Sequence, residues 1–398
     1  MTWLASLFDR EKAAARLTSL PFIGILYVAI GVVAPVLKYL DGNENNIRIF
    51  FASVRHLTLE QDLYAPYPVE HADYFLYGPV FCLFVAPFAY LPSLLGVIGF
   101  SLAMTACFVG AVYSLKISAT EKAVICLICC VDYLTNSQNF QTNGLVAATV
   151  LFGLGAIQRD RPVLAGLCIA FGIFMKVYGI VGLSLFFFTD RKLRFALAVM
   201  AGSAFCFFAP MLLSSWQFII DSYPSWFRRL GAENETNTQI VSGVGYQSIF
   251  DTIRRCFGYQ LPVLPVLVGV AAAFAAAVFY RPLTKSPNGA MRIIAAALIG
   301  LILFSTGSEN PTYIILMTGV ALWFVLHWKS APRLAWLGLA AVFVFSSLAP
   351  TEVYNHAAGD WYDRHALRAV PGFALWCFAM VELWRPVGDR HDSETVES

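Results

Sequence analysis

The sequence predicts an all-α integral membrane protein that crosses the bilayer many times, and three observations support this fold class. Hydrophobic residues make up 58% of the 398 residues and charged residues only 13%, whereas about 25% of the residues in an average soluble domain are charged. The mean hydropathy is +0.66. The apolar residues form long blocks separated by short charged segments, which is typical of a polytopic membrane protein.

The apolar blocks predict the spans, because a helix needs about 20 apolar residues to cross a bilayer. Basic residues flank the apolar stretch 163–189 on both sides, and cytoplasmic loops are rich in Lys and Arg. We therefore predict that this stretch is a hairpin of two short helices that turns near Lys176. The other candidate spans lie near 20–40, 94–115, 121–136, 143–157, 194–213, 261–280, 291–306, 311–327, 334–349 and 370–384.

The charged segments also predict the domain organisation. The segment 79–92 is short and contains three prolines. The basic residues on either side of this region favour the cytoplasm, so we predict that it does not cross the membrane and is a re-entrant or juxtamembrane segment. About 12 crossings result, with both termini inside. We expect no cleavable signal peptide, since no small-residue cleavage site follows the first apolar block. The predicted parts are a cytoplasmic segment 1–19, one transmembrane domain 20–385 with outer loops 41–78 and 214–258, and a cytoplasmic tail 386–398.

The first outer loop carries the residues that best fit a catalytic base. Asp41 and Glu44 lie just after the first apolar block, and a carboxylate in such a place can deprotonate a hydroxyl group. The same residues also fit an ordinary hydrated loop. Their spacing alone leaves both interpretations open.

Lys176 is a second candidate, since a cation inside an apolar stretch is costly and commonly marks a functional position. At the outer turn of the predicted hairpin its ammonium group is suited to bind a lipid phosphate, although a lysine that extends towards the interface has the same pattern. Arg228 and Arg229 follow two tryptophans in the second outer loop. That composition suits either a sugar-phosphate site or an aromatic belt.

Three polar residues open predicted spans from the outside. Gln141 and Asn143 lie at the start of the span near 143–157, where their amides either hydrogen-bond a sugar or cap the helix. Glu309 precedes the span near 311–327, and an acidic residue at a helix N-terminus is also a favourable cap.

Several short motifs follow one another along the chain: Asp62-Leu-Tyr64, Tyr77-Gly-Pro79, Gln141-Thr-Asn143, Lys176 followed by Asp190-Arg-Lys-Leu-Arg194, and Ser308-Glu-Asn-Pro311. In this order they resemble glycosyltransferase family 87, the polyprenyl-phosphate-mannose-dependent mannosyltransferases of the GT-C fold. The resemblance covers most of the chain, 20–385, and implies a GT-C-like architecture. One position departs from the family pattern: the acid expected in the first outer loop falls at Asn46, whose amide cannot act as a general base.

The resemblance implies a membrane glycosyltransferase that moves a hexose, with mannose expected, from a polyprenyl phosphate donor to a glycolipid or glycan acceptor. The expected location is the plasma (inner) membrane, surrounded by lipids, with the active site on the extracytoplasmic side. We expect no cofactor, because the leaving group is a lipid phosphate and no nucleotide has to be bound. No metal ligands are predicted, and whether the reaction requires a metal stays open at this point. The small net charge of +2 gives no reason to expect a nucleic acid partner.

The resemblance also suggests roles for the polar residues. We expect Glu44, or Asp41 in its place, to deprotonate the acceptor hydroxyl group. The donor phosphate is expected to bind Lys176 together with Arg228 or Arg229. The residues expected to contact the sugar are His71, Tyr77, Gln141, Asn143 and Glu309.

Two other functions remain open at this point, a transporter or flippase of a lipid-linked substrate and a catalytically inactive binding subunit. Transporters often have internal repeats with interrupted helices in corresponding positions. Here one interrupted stretch, 163–189, has no matching second half. The amide of Asn46 at the expected acid position favours an inactive subunit.

Overall fold

The computed structural model describes residues 17–239, 245–349, 351, 353–354 and 356–384. Within these ranges every regular element is a helix and no strand is present, so the predicted all-α class is confirmed. The predicted cytoplasmic ends lie mostly outside the described residues, since only 17–19 of the N-terminal segment and none of 386–398 are included.

The first half of the chain forms eight α-helices and one long 3-10 helix. The first helix contains one turn of π-helix at Ala29–Val33 and continues beyond it. In chain order the elements are α1 (Leu20–Leu40), α2 (Asn45–Thr58), α3 (Val80–Ala89), α4 (Ser93–Tyr113), α5 (Ala119–Gln138), α6 (Asn143–Ile157), α7 (Pro162–Met175), the 3-10 helix (Val177–Phe188) and α8 (Lys192–Phe208), which a short 3-10 turn (Ala209–Leu212) extends.

The second half contains nine α-helices. A 3-10 turn, Asn310–Thr312, leads into the sixth of these helices, and one turn of π-helix, Phe343–Ser347, extends the seventh. The helices are α9 (Trp216–Gln239), α10 (Ile249–Phe257), α11 (Val263–Phe279), α12 (Arg281–Thr284), α13 (Gly289–Leu303), α14 (Tyr313–His327), α15 (Pro332–Val342), α16 (His356–Arg364) and α17 (Ala369–Glu382).

Four stretches of the described residues are long and apolar enough to cross a membrane. They begin at α1, α4, α8 and the turn before α14, and eight shorter apolar helices of 10–17 residues accompany them. The predicted number of crossings stays a prediction. So does the re-entrant character of 79–92, where the structure has α3, with Pro87 inside it, packed against α2 and α4.

The two predicted outer loops contain helices, which reading for long apolar blocks alone did not anticipate. In 41–78, α2 is amphipathic: its buried residues Ile47, Phe50, Val54 and Leu57 recur every three or four positions, the spacing of one helical face. In 214–258, the long polar α9 is followed by α10, which begins with a capping box. One face of each helix joins the buried hydrophobic core, through residues such as Phe50, Trp226 and Phe250.

The predicted hairpin at 163–189 is present, with Lys176 at its turn. Helix α7 ends there because the Lys176 backbone is extended, with φ −150° and ψ 121°. The two arms then run back along each other, and glycines allow the close approach: a Cβ added to Gly179 would collide with the backbone of Gly172, and one added to Gly182 would collide with Ile169.

This close approach predicts that Gly179→Ala destabilises the protein. The added methyl group would have to push against the backbone of α7, and overpacking of this kind costs about 1–3 kcal/mol. Thermal unfolding of the purified protein in detergent measures the effect. Gly231→Ala in α9 is the control, because nothing lies within 4 Å of a Cβ at that position; equal melting temperatures for the two variants would contradict the packing of the hairpin.

Candidate functional site

The turn of the hairpin carries the charged group around which the candidate site is built. The Lys176 Nζ donates a hydrogen bond of 2.8 Å to Oδ1 of Asn143, the first residue of α6. The fully buried Asn143 donates in turn from Nδ2 to the Pro311 carbonyl oxygen, at 3.2 Å. A single amide therefore connects the hairpin, α6 and the turn that leads into α14.

Two tyrosine rings flank the ammonium group. The Lys176 Nζ lies 5.6 Å from the centroid of the Tyr77 ring and 5.1 Å from that of Tyr178, within the range of a cation–π attraction. Hydrogen bonds fix both rings: the Tyr77 hydroxyl donates to Gln141 Oε1 at 3.4 Å, and the Tyr178 hydroxyl is 2.6 Å from Ser305 Oγ. We call Lys176, Asn143, Tyr77, Tyr178 and Glu309 the Lys176 cluster.

Main-chain contacts hold the first outer loop against the tip of the hairpin. The Gly78 N–H donates to the Met175 carbonyl at 3.1 Å, and the Trp226 indole N–H of α9 donates to the Leu76 carbonyl at 3.0 Å. A Cβ at Gly78 would collide with the Phe174 carbonyl oxygen. Glycine is thus required for the approach that brings Tyr77 to Lys176.

Glu309 supplies the negative charge of the cluster. Its side chain is partly buried in the loop before α14, and burial raises the pKa of its carboxyl above the usual value, an effect that Lys176 opposes and that Asp73 and Glu233 reinforce. Among the described residues no side chain or N–H donates a hydrogen bond to this carboxylate. A carboxylate that has a raised pKa and receives no hydrogen bond from the described residues is a candidate proton acceptor.

Asp73 is a second carboxylate near the Lys176 cluster, and the sequence interpretation did not select it. Its Oδ2 accepts a hydrogen bond of 2.7 Å from Asn45 Nδ2, while Asn45 Oδ1 accepts from the Ala72 N–H at 2.8 Å. This amide at the start of α2 therefore orients the loop and its exposed acid. In the sequence, only the position of Asp73 four residues before Tyr77 indicated that it lies near the cluster. Spacing alone does not reveal which acid of the loop lies near the hairpin.

The two acids selected as candidate bases have other surroundings. Glu44, at the N-terminus of α2, forms an ion pair with Arg48 one turn along, with 2.5 Å between Oε1 and Nε. Asp41 is exposed where α1 ends. No contact in the described chain joins either acid to the Lys176 cluster, and their catalytic role stays a prediction.

Asn46, the residue at the position of the expected acid, has a structural contact that a carboxylate could not make. Its Nδ2 donates a hydrogen bond of 2.7 Å to the Asn139 carbonyl oxygen. This bond fixes α2 on the turn that precedes Gln141. A carboxylate has no proton to donate and would face the carbonyl oxygen with a negative charge.

The two arginines of α9 differ in their surroundings. The Arg229 guanidinium carbon lies 4.0 Å from the ring centroid of Tyr74, next to Asp73, and Nη2 pairs with Glu233 Oε2 at 2.9 Å. Arg228 is exposed and bonds to Ser225 within its own helix. Of the two, Arg229 is the one that contacts the first outer loop.

In the described part of the chain, the contacts of His71 are with Asp73, His56 and Tyr67, and not with the Lys176 cluster. It is buried, its Nδ1 is 2.7 Å from the Asp73 carbonyl oxygen, and its ring neighbours His56 and Tyr67. The predicted contact between His71 and a sugar stays a prediction, as do those of Tyr77, Gln141, Asn143 and Glu309.

A fully buried ion pair supports the loop that carries Glu309. Arg368 Nη2 is 3.1 Å from Asp132 Oδ1, and Arg368 Nη1 donates to Asn310 Oδ1 at 2.6 Å. The guanidinium carbon also lies 3.9 Å from the ring centroid of Tyr313. Arg368 was missed in the sequence because it follows a polar loop, where a basic residue is unremarkable.

One comparison with known proteins identifies a related family. A family model described as glycosyltransferase family 87 matches residues 75–306, more than half of the chain. The matched region begins just before Tyr77, contains the whole hairpin and α9, and ends three residues before Glu309. No curated protein matches the chain.

Proposed function

Because the chain belongs to glycosyltransferase family 87, and is therefore a membrane glycosyltransferase, we propose that it moves a hexose from a polyprenyl phosphate to a glycolipid or glycan. Mannose is the proposed sugar, and the extracytoplasmic face of the plasma membrane the proposed side. The observation that carries the proposal is the Lys176 cluster, in which two aromatic rings lie beside a partly buried ammonium group whose charge acts on the Glu309 carboxylate.

The proposed reaction explains why a cation is needed at the hairpin tip. The acceptor oxygen bonds to the anomeric carbon as the bond from that carbon to the phosphate oxygen breaks. The electron pair leaves with the phosphate, which changes from a diester with one negative charge to a monoester with up to two. An ammonium group has three donors; Asn143 uses one in Lys176, which leaves two for the departing phosphate oxygens.

We propose Glu309 as the group that accepts the proton of the acceptor hydroxyl. Its carboxylate receives no hydrogen bond from the described residues and its pKa is raised by burial, whereas Glu44 is paired with Arg48. Asp73 is the next candidate, because it belongs to the same group of acids but already accepts from Asn45. Glu44 and Asp41 remain the alternatives suggested by the first outer loop.

Sugar and phosphate contacts complete the proposal. The Tyr77 hydroxyl and the Gln141 amide are already joined to each other beside Lys176, and both groups have hydrogen-bonding capacity for sugar hydroxyls. Arg229 is proposed as a second contact for the donor phosphate, since it lies over Tyr74 at the edge of the first outer loop. Arg228 is proposed only as a surface contact for lipid headgroups.

Replacement of Lys176 tests the proposed role of the ammonium group. We expect Lys176→Met to lower kcat by about 100- to 1,000-fold, because one preorganised group that stabilises a departing oxyanion contributes a factor of this size. Lys176→Arg should retain part of the activity, since the positive charge is kept. The assay is sugar transfer from synthetic polyprenyl-phosphate mannose by the protein in liposomes.

Lys192→Met is the matched control, because this exposed lysine begins α8, beyond the far end of the same hairpin. It should leave the transfer rate unchanged. A Lys176→Met variant that is folded and transfers sugar at the rate of the wild type would refute the proposed role.

Replacement of the acids distinguishes the candidate bases. Glu309→Gln should lower kcat by about 100- to 10,000-fold, the usual contribution of general acid–base catalysis, and Asp73→Asn by less. The wild-type rate should fall as the pH drops through the raised pKa of Glu309, because the protonated carboxyl cannot accept a proton. Rates of transfer between pH 4 and 9 measure both effects.

Glu44→Gln and Asp41→Asn serve as comparisons in the same assay, and we expect both to remain active. If Glu44→Gln abolished transfer while Glu309→Gln did not, the base would lie at the N-terminus of α2 instead.

A further inference from the structure

Three potential metal ligands meet where the first outer loop returns to α2. His56 comes from α2, and Glu70 and His71 come from the loop; one ligand atom from each residue lies within 4.8 Å of the other two. His56 Nε2 and Glu70 Oε2 are 3.0 Å apart. In a tetrahedral zinc site with metal–ligand bonds of about 2.0–2.1 Å, neighbouring ligand atoms stand about 3.3 Å apart. Only small movements would therefore bring the three groups onto one ion.

The environment of His71 prepares it to act as a ligand. Its Nδ1 is 2.7 Å from the Asp73 carbonyl oxygen, and because a carbonyl oxygen only accepts, Nδ1 carries the proton. The lone pair is then on Nε2. Histidines that bind metals commonly donate their other ring N–H to a carbonyl or carboxylate in this way, which fixes both the tautomer and the orientation of the ring.

The remaining walls of the cluster are also formed by the protein. His56 is 2% exposed and His71 6% exposed, and the Tyr67 ring stacks on His56 with 3.9 Å between the centroids. Glu70 is one-third exposed and also pairs with Arg55, whose side chain is more than half exposed. Arg55 and His56 contact the same carboxylate oxygen, Oε2, so the exposed arginine would have to move to Oε1 when Oε2 binds an ion.

We propose that His56, Glu70 and His71 bind one divalent transition-metal ion, with zinc as the best match, and that water completes the coordination. Two imidazoles and one carboxylate are a common ligand set for zinc. The ion would replace the hydrogen bond between His56 and Glu70 and would attach the loop firmly to α2. Its role is to hold the loop, and none of the transfer chemistry proposed above requires it.

The first outer loop connects the three proposed metal ligands to the Lys176 cluster. The main chain of Asp73 is bonded to His71, and its side chain is bonded to Asn45 at the start of the same helix. Four residues later the loop reaches Tyr77, beside Lys176. A metal ion at His71 would thus restrict the part of the loop that presents Asp73 and Tyr77.

Metal binding by the untagged full-length protein in detergent tests the proposal. After dialysis against buffer with micromolar Zn²⁺ and then metal-free buffer, we expect about one zinc per chain by elemental analysis. Protein loaded with Co²⁺ instead should show the intense visible absorption of a four-coordinate cobalt site. We expect the melting temperature to fall when a chelator removes the ion.

Variants locate the ion. Glu70→Gln and His71→Asn should each weaken zinc binding at least about tenfold, whereas His365→Asn, a histidine beside α16, should bind zinc as the wild type does. Wild-type protein with no retained zinc and no cobalt spectrum would overturn the proposal, as would unchanged retention in both variants. These readouts do not involve sugar transfer, so they are independent of the proposed enzymatic function.

Discussion

The structure depends on accommodating one positive charge at the tip of an apolar hairpin. Removing an ion from water costs several kcal/mol even in a relaxed protein site, and the apolar arms around Lys176 offer no compensation. The compensating groups come from elsewhere: the amide of Asn143 in α6, the ring of Tyr77 in the first outer loop and the carboxylate of Glu309 before α14. Segments far apart in sequence meet at this ammonium group, and each offsets part of the cost of removing its charge from water.

The fully buried ion pair of Arg368 and Asp132 also holds one of these segments in place. Arg368 donates a hydrogen bond to Asn310, the neighbour of Glu309. A buried ion pair therefore holds the loop that carries the acid. Removing one member of such a pair leaves an uncompensated buried charge. The acid of the Lys176 cluster is thus positioned by residues that contact neither Lys176 nor its aromatic neighbours.

The fold class and the hairpin could be predicted because they follow from local features. Apolar blocks predict helices, and basic residues on both flanks of 163–189 predicted that the stretch turns back at Lys176. Lys176, Gln141 and Asn143 were selected because polar groups in or beside apolar stretches are conspicuous. Helices α2 and α9 were not anticipated, since an amphipathic helix lacks a long apolar block.

The acids of the candidate site could not be ranked from the sequence, because several lie within one loop. Whether an acid reaches Lys176 depends on non-local contacts, such as Gly78 against Phe174 and Trp226 against Leu76, which leave no periodic pattern. Asn46 illustrates the same limit. Its amide was conspicuous as a missing acid, yet the structure gives it a donor role towards Asn139 that explains why an amide is present.

The most direct measurement is a structure of the protein with a non-transferable phosphonate analogue of polyprenyl-phosphate mannose. If Lys176 binds the leaving phosphate, a phosphonate oxygen will lie about 3 Å from Nζ, with the sugar between Lys176 and Glu309. A phosphonate bound elsewhere, with Lys176 still bonded to Asn143 and no oxygen of the analogue near it, would contradict the account.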